Sequence, residues 1–126
     1  MNVLIDEIEA EHSTAQARCR AVIQIFFDLT EAEPDVMAFV IHARHREFLP
    51  KEKAICSASA FVRMRGFVFA GIDKGEIRAI NPGVAAVIMY GGAIRMVCLR
   101  LNGIIPITLD EYFDELWVNT WKSLES

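Results

Sequence analysis

His42 and His45 are the two residues whose type and spacing come nearest to a chemical site. Three positions apart on a helix, two imidazoles share one side and can hold a metal ion between them. Such a site needs a third and a fourth donor, and neither His12 nor any carboxylate belongs to the group by position. The two rings therefore read either as hydrogen-bonded structural histidines or as groups that meet a ligand. Acidic residues gather where helices begin, and capping accounts for them there without catalysis. Cys19, Cys56 and Cys98 are odd in number and lie in apolar runs. That usage suits reduced, buried thiols of a cytoplasmic protein better than a disulfide framework. No glycine-rich loop follows a strand pattern, and no nucleophile elbow or paired-cysteine motif is present. The residues give no support for an enzyme, a metal site or a cofactor.

What must position these residues is a helical chain. At 126 residues it is one domain by length, 1–126, and long enough to bury a core. It is 53% hydrophobic, with a mean hydropathy of +0.28, more apolar than an ordinary soluble domain. That surplus calls for a second subunit, a ligand cavity or lipid. Charge is segregated: eight acids oppose two bases in residues 1–35, ten bases oppose four acids in 36–105, and five acids oppose one base in 106–126. The basic residues are spread over several helices rather than run together. This is a solvated or internally paired pattern more than a nucleic-acid footprint.

Apolar residues recur at spacings of three and four, not two, which predicts an all-α bundle. Val3, Leu4 and Ile8 mark a short helix from Asn2 to about Ala10. Ser13 to Gln16 reads as a capping box for a helix from Thr14 to Leu29, with Ala15, Cys19, Val22, Ile23, Phe26 and Phe27 on one broad face. The polar run Thr30 to Glu33 breaks that pattern, and Pro34 opens a helix over 35–48, which Pro50 stops. Ser57 or Ser59 starts a helix that ends between Gly71 and Gly75. Thr108 and Glu111 form a second capping box for a helix from Thr108 to Leu124.

The chain's most apolar stretch is Asn81–Asn102. Asn81 and Pro82 give a strong helix start, and from Val84 to Leu101 only Arg95 and Arg100 are charged. A helix apolar on nearly all sides belongs in a core or a membrane. Eighteen residues fall short of a span of ~20, and Arg95 inside it costs roughly 2.5–3.5 kcal/mol, which favours a soluble bundle. Gly91 and Gly92 each cost roughly 1 kcal/mol within a helix, so they imply a close backbone neighbour. The expected interface is a two-fold pairing of the last two helices into an intersubunit four-helix bundle. Tyr90, Gly91, Ala93, Trp117 and Trp121 would lie at its centre. A pocket for an apolar or amphipathic small molecule is expected among Phe26, Phe39, His42, Phe61, Arg65 and Phe69, where aromatics surround a few polar groups.

The runs Ala43–Pro50, Ile55–Ser57 with Phe61, and Gly71–Arg78 leading to Asn81-Pro82, with a final helix ending in Leu116-Trp117 and Trp121, resemble the regulatory domain of TetR-family transcriptional regulators. The similarity spans roughly residues 12 to 124. The resemblance implies a homodimer through the last two helices, an effector pocket between the middle ones, and transcription regulation. It departs from the family in having no N-terminal helix-turn-helix module, so DNA would be reached only through a module outside these residues. The alternative is a homodimeric helical interaction module with no small-molecule ligand. A closed apolar cavity favours the regulator, and a solid core with an exposed apolar groove favours the interaction module.

Overall fold

The computed structural model describes residues 2–44 and 52–126, except for the side chains of 2, 42–44 and 52–59. Six helices follow one another: α1 (Asn2–Glu11), α2 (Ala15–Ala32), α3 (Pro34–Arg44), α4 (Glu52–Asp73), α5 (Pro82–Leu101) and α6 (Asp110–Leu124). Among the described residues there is no strand, and one isolated antiparallel bridge joins Ile77 to Glu125. The expected all-α bundle is the architecture found.

α2 is the hub and touches all five other helices. Its buried side chains are Ala15, Cys19, Val22, Ile23, Phe26, Phe27 and Thr30, the stripe that spacing predicts, prolonged by one turn. The helix runs on to Ala32 because the polar residues after Leu29 are satisfied in place. The Thr30 hydroxyl donates to the Phe26 carbonyl at 2.7 Å, and Glu33 N–H donates to the Leu29 carbonyl at 2.8 Å. Pro34 then occupies the first turn of α3, where its missing N–H costs nothing. α4 starts at Glu52, before either serine expected to cap it.

The closest helix approach lies elsewhere than at the glycine pair. A Cβ on Gly71 would stand 2.7 Å from Ala15 Cβ and 2.9 Å from Ile77 Cδ1, so only glycine lets α4 meet α2 there. A Cβ on Gly91 would meet nothing nearer than Val87 of its own helix, at 3.8 Å, and one on Gly92 would meet Leu116 Cδ1 at 3.3 Å. Among the described residues no backbone beyond its own helix lies within 4 Å of where a Cβ on Gly91 would stand. The segregated charges meet in pairs: Arg63 of α4 bonds Asp6 at 2.8 Å and also Glu9, and Arg100 of α5 bonds Glu31 at 2.9 Å.

Candidate functional site

The site is the outer face of α5. Asn81 caps the helix as expected, its Oδ1 accepting from Gly83 N–H at 2.9 Å and Val84 N–H at 3.1 Å, with Pro82 in the first turn. Ala85, Ala86, Met89, Tyr90, Ala93 and Val97 turn inward and are buried. Val84 and Val87 turn outward, 51% and 70% exposed, with Ile88 and Gly91 half-buried and Arg95 exposed. At spacings of three and four these five lie on one stripe. Only a third of the apolar stretch of this helix is buried inside the chain. α6 runs beside it, with Leu116 against Gly92.

The expected interface residues divide between surface and interior. Tyr90 is interior: its hydroxyl donates to the Met64 carbonyl at 2.8 Å and lies 3.4 Å from Cys19 Sγ. Burial holds the phenol well above its usual range and pushes the Cys19 thiol up to about 12. Ala93 and Trp117 are buried as well. Trp121, half-buried, stacks on Trp117 with ring centres 5.8 Å apart and 20° between planes. Gly91 and Trp121 thus remain at the surface, and the apolar anchors there are Val84 and Val87, which aromatic content alone passes over.

The residues expected to line a pocket are likewise dispersed. Phe26 is core, and half-buried Phe61 meets it edge-on at 6.3 Å. Phe39 is 51% exposed, Phe69 41% exposed, and Arg65 exposed. His42 and His45 lie outside the described side chains. Among the described residues no three His, Cys, Asp or Glu side chains come together as metal ligands would. A surface groove of about 330 Å³, half-open to solvent, runs between α1 and α2. Leu4, Ile8, Ala21 and Ile25 give it an apolar floor, while Glu7, Glu11, His12, Arg20 and Gln24 form a polar rim.

Two glutamates cap helices far from them in sequence. Glu31 of α2 accepts from Arg100 Nε at 2.9 Å and Nη2 at 3.0 Å, and from Leu109 N–H at 3.1 Å just before α6. The Arg100 hydrogen bonds are the main reason its carboxyl titrates below the usual range, despite partial burial; the Leu109 N–H adds to them. Arg100 Nη1 also donates to the Ile105 carbonyl at 3.1 Å, which fixes the α5–α6 turn. Arg95 has no ion pair among the described residues. Glu76 plays the same part at α2, accepting from Ala15 N–H at 3.0 Å and Gln16 N–H at 3.3 Å. The expected capping boxes differ accordingly: Thr14 is the cap of α2 and bonds Ala17 N–H at 3.1 Å, whereas α6 has no side-chain cap of its own. No protein-family model matches the chain, and comparison with the curated proteins gives no match.

Proposed function

We propose that this chain is a homodimerising helical module, paired through the outer face of α5 with α6 alongside, and serving as the regulatory half of a TetR-like transcription regulator. The observation that carries it is the stripe of exposed Val84 and Val87 with half-buried Ile88 and Gly91 on a helix otherwise fit for a core. Exposed apolar surface of this kind marks an interface. A second copy is the occupant favoured by charge. Arg95, on the stripe, has no ion pair among the described residues, while α6 opens with Asp110, Glu111, Asp114 and Glu115, of which Asp114 lies 3.9 Å from Arg20 of its own chain. A two-fold operation brings each copy's arginine stripe toward the other's acidic helix, and the stripe meets itself. Among the described residues a Cβ on Gly91 would meet only Val87 of its own helix, at 3.8 Å, which leaves room for the partner's backbone.

Sedimentation of the unmodified chain tests this. A dimer at micromolar concentration is expected, with Val87→Glu returning it to the 14.2 kDa monomer. A monodisperse monomer overturns the reading. So does co-sedimentation with neutral lipid vesicles, since α5 is also long and apolar enough to cross a membrane. Duplex DNA should not be bound by these residues alone. A shift that survives physiological salt and prefers one palindromic sequence would place the reader within them.

Effector sensing is the second half of the proposal, and the half-open α1–α2 groove is the seat it would use; an interaction module without a ligand is the reading that holds if this groove binds nothing. Its apolar floor and acidic-to-basic rim suit an amphipathic molecule of modest size. A thermal-shift screen over amphipathic cations and fatty anions is the test. A ligand at 100 times its Kd adds about 2.7 kcal/mol, and Ile25→Trp, which fills the groove, should remove the shift. A shift that survives Ile25→Trp places the ligand elsewhere.

A further inference from the structure

The link between α4 and α5 does more than turn the chain. Gly75, in the left-handed region at φ 81°, lets α4 end abruptly, with Glu76 and Ile77 N–H groups both returning to the Gly71 carbonyl at 2.9 and 3.1 Å. The next three side chains part company. Glu76 reaches the first turn of α2 through Ala15 and Gln16 N–H. Ile77 is buried and lies under the Gly71–Ala15 contact. Arg78 reaches the far end of α6, its Nε and Nη2 donating to the Ser123 carbonyl at 3.0 and 2.6 Å. The backbone of the same link pairs with the chain's last residues: Arg78 N–H donates to the Leu124 carbonyl at 2.9 Å, and Ser126 N–H to the Glu76 carbonyl at 3.1 Å. One short segment therefore holds the start of α2 and the end of α6 at once. Both ends are held by charge: a carboxylate on free N–H groups and a guanidinium on a free carbonyl, each the favourable sign for that helix terminus.

We propose that Gly75–Arg78 is a mechanical coupling that makes the first turn of α2 and the last turn of α6 open together. α2 and α6 also meet through Arg20, which lies over the Phe113 ring and 3.9 Å from Asp114, while the segment is the element that bonds the start of α2 and the end of α6 together. Rigid attachment at two charged ends, with buried Ile77 between them, transmits that displacement because the segment cannot leave one site without turning out of the other. The coupling does not depend on whether the chain pairs with a second copy.

Amide hydrogen exchange on the full chain tests it. Arg78→Ala removes side-chain hydrogen bonds that, among the described residues, reach Ser123 of α6, yet should speed exchange at Ala15 and Gln16 as well as at Leu124–Ser126, by about tenfold, the effect of losing one charge-assisted hydrogen bond. Glu76→Gln should do the same in the opposite direction, reaching Leu124–Ser126. Thr14→Ala removes only the bond to Ala17 N–H and leaves Glu76 seated on Ala15 and Gln16, so it should speed exchange at Ala17 while Ala15, Gln16 and α6 stay unchanged. Arg78→Lys provides a gentler variant should Arg78→Ala fail to fold, and the same cross-effect is expected of it. An effect of Arg78→Ala or Arg78→Lys confined to α6 overturns the coupling. A rise that extends equally to Val97 in α5 also overturns it, because that is global loosening.

Discussion

α2 and α5 are both long, apolar helices in contact with most of the bundle, yet they are used in opposite ways. α2 is the less apolar in sequence, with Arg18, Arg20, Asp28 and Glu31 along it, and it packs against all five other helices while Gln16, Arg20 and Asp28 stay exposed. Its charged residues are placed where they serve. Arg18 donates to the His12 and Glu9 carbonyls at 2.7 and 3.1 Å at the end of α1, and Arg20 lies over the Phe113 ring at 4.9 Å. α5 is the more apolar and the less covered. Apolar content therefore predicts what a helix must bury but not what its own chain will bury against it. The excess on α5 is the part left for another surface.

The widest expected contrast between the two comes from truncating one residue on each. Phe27→Ala on α2 removes a fully buried ring that meets Phe113 edge-on at 5.9 Å, and should lower stability by about 3–5 kcal/mol in chemical denaturation. Val87→Ala on α5 should leave the monomer's stability within about 0.5 kcal/mol while weakening self-association measured by sedimentation. Equal losses from the two would erase the distinction.

Gly71→Ala sharpens the contrast at a glycine. Its Cβ would press on Ala15 and Ile77, and a loss of about 1–3 kcal/mol in the same denaturation is expected. Gly66→Ala, on the open side of α4 with nothing within 4 Å, should instead gain up to about 1 kcal/mol.

The Glu31–Arg100 pair stitches the two helices together, and it gives the contrast a pH dependence. A carboxyl whose folded pKa is lowered stabilises the fold above its unfolded value and loses that contribution as pH falls through the folded one. Glu31 starts from an ordinary value of 4.5, so its share of stability should fade below about that pH. Glu31→Gln should show a flatter acid limb and a loss of about 1–2 kcal/mol at neutral pH. An unchanged acid limb in the variant would mean that the pair contributes nothing.

The smallest effect carries the clearest sign. Gly91→Ala should stabilise an isolated chain by about 1 kcal/mol through helix propensity, because space is open there. A partner backbone packed against Gly91 turns that gain into weaker association. Denaturation followed at two protein concentrations separates the two contributions.

Much of this fold is legible in the sequence, because helix spacing and caps are local signals. The stripe on α2, the Asn81-Pro82 start and the run of α6 to Leu124 all follow from residues within one turn of each other. What the sequence conceals is long-range. Glu76 and Glu31 cap helices 61 and 78 positions away, which no local pattern encodes. Thr30 reads as a helix breaker until its hydroxyl is seen to bond within the helix. The candidate surface was legible in outline only. Periodicity gives the width of an apolar stripe but not its rotation against neighbours, so Tyr90 and Ala93 turn inward while Val84 and Val87 take the outside.

The Cys19–Tyr90 contact has a practical consequence. A thiol with no solvent exposure and a pKa near 12 is silent toward alkylating reagents while the bundle is shut. Half-buried Cys98 stands nearer to solvent on α5. The chain thus carries its own internal clock: the rate at which Cys19 takes up label, read by mass at that residue, times the opening of the hub itself, with no dye or probe added to the fold.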